Sequence, residues 1–271
     1  AMGDLQTFFT TGSQFDYINS YLATYEDFIA QPSMSYDGTL PIEKRDDGQY
    51  AFAFHDVSFS YPGTDIPVLE HVTLSFTIGD KTALVGRNGA GKTTLIKLLC
   101  RLYEPTSGHI TLNGIDIRKY NYKEYTQAFS VVFQDFHLFS LPLDENIAAG
   151  TEIDEAALQS SLAKVGLTDR VQQLPQGIRT RLYNNNARAL YKDAPFVILD
   201  EPTAALDPIA EAEIYKQFSQ MTAGKTAVYI SHRMSSCKFC DRIIVLDHGR
   251  IIERGSHEKL IAEKGTYYQL Y

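Results

Sequence analysis

The stretch GRNGAGKTT, Gly86 to Thr94, fits G-x-x-x-x-G-K-[ST]. Three glycines let a backbone curl so that successive N–H groups point inward at phosphate oxygens. Lys92 supplies a point charge for the β- and γ-phosphates, and Thr93 a hydroxyl for Mg²⁺. The motif lies between the apolar run KTALV and a helical pattern predicted from Lys92 to about Leu102. A helix starting there presents its positive end to an anion. Further along, FVILDE places Asp200 and Glu201 at the end of a continuous apolar run. Ligands in open α/β sheets bind at the carboxyl ends of such strands. Asp200 is placed to hold Mg²⁺ through water, and Glu201 is a candidate general base for an attacking water. Two acids at a strand end often only mark its exit to solvent. The pairing with the glycine loop gives them weight.

These residues need a scaffold. YAFAFHDVSFSY and VTLSFTI alternate like strands. HITLNG reads as part of a hairpin, and AFSVVFQ as a buried strand. Residues 154–166 follow a helical pattern, and TAVYIS and RIIVLD are further strands. Strands alternating with helices predict a doubly wound α/β sheet. Upstream, residues 13–30 place Phe15, Ile18, Tyr21, Leu22, Tyr25, Phe28 and Ile29 at helical spacing. Residues 31–48 hold prolines, glycines and a charge cluster and read as a linker.

The bulk numbers set limits. With 271 residues, 44% of them apolar, the chain can bury a sizeable core. The net charge of −8 disfavours a general nucleic-acid binder, which needs a basic footprint. The three cysteines, Cys100, Cys237 and Cys240, are too few for a disulfide framework. Cys237 and Cys240 form a C-x-x-C without a second pair, which favours two incidental thiols on a short helix over a metal or redox site. No run of about 18 apolar residues suggests a membrane span, and no signal peptide is evident. The opening Ala1-Met2-Gly3 is expected to be a cloning scar on a fragment.

From about residue 50 onward the chain resembles the nucleotide-binding domain of an ABC transporter. The motifs stand in family order: SYPG, GRNGAGKTT, VVFQDFHLF, LDEPTAALD, VYISHRM and IIVLDHGRIIERGSHEKLI. The resemblance implies a P-loop NTPase core of RecA type, with an antiparallel β subdomain and a helical subdomain near 136–195. It implies that Tyr61 stacks on adenine, that Gly86, Arg87, Asn88, Gly89, Ala90, Gly91, Lys92, Thr93 and Thr94 cradle the phosphates, and that Asp207 closes the D-loop. Gln134 becomes the lid glutamine on Mg²⁺, and His232 the switch histidine at the γ-phosphate. The metal set is then Thr93, Gln134 and Asp200, with ATP and Mg²⁺ as cofactors. Implied partners are a second nucleotide-binding domain, paired head to tail, and the transmembrane domain of the same transporter at the cytoplasmic face of the cell membrane.

Blander readings exist for single positions. Tyr61 could pack beside Pro62, Gln134 could be an exposed polar residue, and His232 could cap a helix. The run Phe136 to Phe139 could be core or a surface facing the membrane domain. The helix and linker of 1–48, ahead of a domain spanning 49–271, resemble exporters with both parts on one chain.

One departure stands out. Between LPQG and ARAL the family carries LSGGQ or a near variant. This chain reads LPQGIRTRLYNNNARAL, short by about a dozen residues around Asn184 to Asn186. The retained ARAL reads as the end of a helix whose start is gone. Beside intact Gln134, Glu201 and His232, this favours an omission from the given sequence, or a deliberate deletion, over natural decay. The expectation is an ATP-hydrolysing domain powering export, with an ATP-binding module that does not hydrolyse as the alternative.

Overall fold

The computed structural model describes residues 19, 21–27, 29–30, 38–42, 50–76, 79–133, 141–148, 152–164, 166–174, 176–180, 194–200, 222, 225–230 and 234–271. The expectations for Gln134, Phe136 to Phe139, Asn184 to Asn186, Glu201, Asp207 and His232 lie outside these residues. The chain divides into two compact units, 1–36 and 37–271. In the first, residues 21–27 are helical, as the spacing of apolar side chains predicts.

The second unit is built on two sheets. One is a four-stranded antiparallel sheet in the order β2-β1-β4-β5. Its strands are β1 (Phe52–Ser60), β2 (Pro67–Ser75), β4 (Ser107–Leu112) and β5 (Ile115–Asp116). β2 is its edge, so Pro67 at the start of that strand breaks no inner ladder. The other is a six-stranded sheet in the order β10-β9-β3-β8-β7-β6. Here β3 (Lys81–Val85), β6 (Phe129–Val132), β7 (Phe196–Asp200), β8 (Thr226–Ile230) and β9 (Arg242–Asp247) run parallel, and β10 (Arg250–Gly255) returns antiparallel. Continuous burial along β7 and β8 explains their unbroken apolar sequences.

The sheets meet through aromatic rings. Phe52 of β1 lies 5.1 Å from the ring of Phe196, which opens β7, and 5.1 Å from that of Phe129 in β6. Phe76, just past β2, reaches Phe196 at 5.8 Å. These contacts seat the β7 strand that ends at Asp200.

Helix α1 (Lys92–Leu99) follows the glycine loop but stops three residues before the predicted end. Arg101 takes a left-handed conformation, φ 56°, and its guanidinium is buried, donating to the Tyr120 carbonyl at 2.9 Å. A helical satellite comprises α3 (Leu143–Ala148), α4 (Glu155–Lys164), α5 (Thr168–Gln172) and the turn Gly177–Arg179. It has a core of its own in Leu143, Ile147, Leu158, Leu162 and Val171. Arg179 closes it with an ion pair to buried Asp144 at 3.0 Å. The remaining helices are α2 (Tyr122–Gln127), α6 (His257–Glu263) and α7 (Thr266–Leu270).

Cys237 and Cys240 sit at a 3₁₀ turn, Met234–Phe239, and just after it. Burial, with the neighbouring Cys237, pushes the Cys240 thiol far above the usual thiol range, so it forms little reactive thiolate. No cluster of three or more metal-ligating side chains occurs among the described residues.

The second unit starts at 37, ahead of the boundary predicted at 49. Residues 38–42, predicted as linker, form a strap on the fold. Leu40 N–H donates to the Lys119 carbonyl at 3.0 Å, and Asn121 N–H to the Leu40 carbonyl at 2.8 Å. Ile42 N–H donates to the Glu124 carboxylate at 3.0 Å. Asn121 caps α2 by accepting from Glu124 N–H. A glutamate at that third position often reaches back to the cap residue. Here it holds the strap instead. A Cβ on Gly38 would overlap the Lys119 carbonyl, so only glycine lets the backbones approach this closely. Gly38→Val is therefore expected to release the strap. Hydrogen exchange at the Leu40 amide should speed up about tenfold or more, while β7 and β8 amides keep their protection.

Candidate functional site

The glycine loop runs from the end of β3 into α1. Gly86 cannot carry a side chain, because a Cβ there would overlap the Leu246 carbonyl of β9. Gly89 has φ 80° in open space, so its requirement is conformational. Gly91 caps α1 with φ 97°, and a Cβ on it would lie 2.6 Å from the Leu69 side chain of β2. Two neighbours thus brace the loop. Gly249 N–H, in the β9–β10 turn, donates to the Ala90 carbonyl at 3.3 Å, and Glu70 N–H of β2 donates to the Gly249 carbonyl at 2.9 Å.

Inside this frame Lys92 is 6% exposed. Its ammonium donates to the carbonyls of Gly86 at 2.8 Å and Arg87 at 3.1 Å. A buried ammonium costs free energy unless it is hydrogen-bonded, and the loop carbonyls meet that need. Thr93 Oγ1 donates to Asp200 Oδ2 at 2.9 Å. Asp200 is 1% exposed at the carboxyl end of β7. A hydroxyl and a carboxylate side by side are hard oxygen donors, and an ammonium sits on the same loop. That donor set fits Mg²⁺ held together with phosphate oxygens. Arg87, Asn88 and Gly89 are exposed at the mouth, whereas Ala90 and Thr94 are buried.

Tyr61 lies beside this loop. Its hydroxyl is 3.0 Å from Thr94 Oγ1, in the first turn of α1. It therefore does more than pack beside Pro62. The structure brings together Tyr61, Gly86 to Thr94 and Asp200, which stand up to 139 positions apart in the chain.

Some supporting residues carried little sequence signal. Leu69 and Leu246 reach the loop glycines only through long-range contacts. Gly249 lies in the turn between β9 and β10, and nothing local in the sequence ties that turn to the loop. Phe59 and Tyr103 lie against Tyr61 with no motif to mark them.

A glycine loop opening a helix at the end of a parallel strand, with an acid from the next-but-one strand against its threonine, defines a P-loop nucleotide-binding domain. Comparison with known proteins agrees. The family model described as ABC transporter matches residues 69–204, half of the chain. The chain belongs to the ABC transporter family.

It is 38% identical over 260 residues to the ATP-dependent lipid A-core flippase of Cupriavidus metallidurans, covering 90% of this chain and 43% of that protein. It is 39% identical over 231 residues to the flippase of the same name from Vibrio parahaemolyticus, covering 80% of this chain and 40% of that one. The chain thus spans less than half the length of these relatives. A solved bacterial Atm1-family ABC exporter with ATP bound superposes with a TM-score of 0.83 at 29% identity, over 92% of this chain and 46% of that one. The chain is an ATP-binding domain homologous to the ATPase domains that power ABC transporters. No helix among the described residues is long and apolar enough to cross a membrane.

Because Lys92 is a buried cation of the loop, Lys92→Ala is expected to weaken ATP binding about 100-fold, the order of losing a charge-assisted contact made by a buried ammonium. Calorimetric titration measures it. An unchanged dissociation constant would remove the phosphate-cradle role of the loop.

Proposed function

We propose that this domain binds and hydrolyses Mg·ATP, and that within a longer chain it powers export across a membrane. The observation that carries the reading is the Lys92, Thr93 and Asp200 cluster at the carboxyl end of the parallel sheet. Thr93 and Asp200 would hold Mg²⁺, with Gln134 as a third ligand. When bound, the metal neutralises charge on the β- and γ-phosphate oxygens. Lys92 would turn its ammonium from the loop carbonyls onto those oxygens, and the N–H groups of the loop and α1 would take the rest. Tyr61 would stack on adenine. Glu201, next in sequence after Asp200, would orient and deprotonate the attacking water. His232 would reach the γ-phosphate, and Asp207 would face the second domain of a head-to-tail pair. The transmembrane partner would sit on the same chain, placing this domain at the cytoplasmic face of the cell membrane. The helix at residues 21–27, ahead of the first strand, supports that arrangement.

A second reading has its own observation. The LSGGQ signature is missing between Gly177 and Ala187. In a head-to-tail pair that segment would supply glycine N–H donors and a serine hydroxyl to the opposite γ-phosphate, part of the electrostatic stabilisation of transfer. Without it the chain would be an ATP-binding module with little turnover. Single-turnover hydrolysis by the 271-residue chain, with and without an intact partner domain, decides between the two. Turnover in either condition supports the enzyme; ATP bound but uncleaved in both supports the module.

If the chain hydrolyses ATP, Glu201→Gln should keep ATP affinity within about twofold and lower turnover about 100- to 10,000-fold, the usual worth of a general base. Turnover at the normal rate in that variant would place the base elsewhere.

A further inference from the structure

We propose that Tyr103 is a positioning residue for nucleotide binding, setting the Tyr61 ring as the platform on which the base stacks. The proposal rests on the reading of Tyr61 as the adenine platform and adds what makes that ring rigid.

Three rings interlock at the open end of β1. Tyr61 stands edge-on to Phe59, with centroids 5.0 Å apart and an interplanar angle of 78°. It stands almost perpendicular to Tyr103, at 5.2 Å and 89°. Phe59 and Tyr103 are themselves 5.6 Å apart. Phe59 is 3% exposed and anchors the group in the core, whereas Tyr61 and Tyr103 are half-buried. Edge-to-face geometry sets the positive rim of one ring on the negative face of another, so each pair has a preferred angle. Two such pairs, plus the Tyr61 hydroxyl on Thr94 Oγ1 at 3.0 Å, fix the ring at several points.

Tyr103 can do this because its own loop is fastened at both ends. On one side Leu102 N–H donates to the Lys97 carbonyl at 2.9 Å, and Arg101 is buried against Tyr120, with its guanidinium over the rings of Tyr122 and Tyr125. On the other, Thr106 N–H donates to the Ser58 carbonyl at 2.9 Å, and Ser60 N–H to Thr106 Oγ1 at 3.1 Å. The loop between α1 and β4 is thus stitched to the end of β1 that carries Tyr61. A ring held in its bound orientation loses less freedom when a base stacks on it, which strengthens binding without a new contact.

The test is calorimetric titration of the 271-residue chain with Mg·ATP and, separately, with magnesium and inorganic triphosphate, a probe that fills the loop but has no base. Tyr103→Ala should weaken ATP about 3- to 10-fold, the order expected for one lost edge-to-face pair, and leave triphosphate affinity unchanged. Tyr103→Phe, which keeps the ring, should bind ATP like the parent chain. Tyr61→Ala should weaken ATP at least as much as Tyr103→Ala. If Tyr61→Ala weakens ATP and Tyr103→Ala does not, the positioning role is overturned while the platform stands. Equal losses for ATP and triphosphate in Tyr103→Ala would mean damage to the loop and would also overturn it. An unchanged ATP affinity in Tyr61→Ala would remove the platform, and the proposal with it.

Discussion

The hydrogen bond from Thr93 to Asp200 is the contact on which the arrangement depends. It joins the first turn of α1 to the end of β7, across the intervening strand β8. Parallel strands carry all their carboxyl ends to one edge, so the loop after β3 and the acid ending β7 emerge together. The register makes the match close: Leu84 pairs with Ile230, and Ile230 with Asp200. A slip of one residue along β7 would turn the carboxylate to the other face of the sheet. The rings of Phe52 and Phe76 against Phe196 oppose that slip at the far end of the same strand.

The antiparallel sheet is more than a cover over one face. β2 presses Leu69 and the Val68 carbonyl against Gly91, and Glu70 holds the β9–β10 turn that in turn holds Ala90. β1 ends in the aromatic group that contains Tyr61. The smaller sheet therefore braces the glycine loop and carries the ring beside it. A buried ammonium such as that of Lys92 tolerates little movement of the carbonyls around it, because its desolvation is offset only by close hydrogen bonds. Bracing from two sides keeps those carbonyls in place.

Much of this was legible in the sequence for a simple reason. Phosphate binding uses backbone geometry, and backbone geometry of this kind needs glycine at fixed intervals, which the chain displays from Gly86 to Gly91. Continuous apolar runs marked β7, β8 and β9, since strands buried on both faces have no polar positions to alternate with. What could not be read were contacts between distant segments. Gly249 against Ala90, Tyr103 against Tyr61, and Leu246 against Gly86 join positions whose relation exists only after the sheets assemble. The end of α1 was placed too late because Arg101 is a good helix former by propensity. It leaves the helix to bury its guanidinium on the Tyr120 carbonyl, a tertiary reason that no local pattern carries. The strap was read as linker because prolines, glycine and charge signal a segment without a core of its own. Backbone pairing does not need apolar side chains, so composition was blind to it.

The strap also ties the start of this unit to the elements that lead toward Asp200. Leu40 pairs with Tyr120 in a parallel bridge, and Ile42 is held by Glu124 in the first turn of α2. α2 leads directly into β6, whose Val132 pairs with Leu199, the residue before Asp200. In sequence, Gln134 follows two positions after Val132. The strap is therefore fastened to the elements that lead to the end of β7 and Asp200, through about a dozen residues of contiguous helix and strand. Because α2 has only 6 residues, it owes its order to tertiary contacts more than to its own propensity. The strap's hydrogen bond to Glu124 is one of those contacts, and the Asn121 cap is another. Displacing the strap would remove a stabilising contact from the start of that path and leave the opposite side of the site, braced by β2 and the β9–β10 turn, untouched.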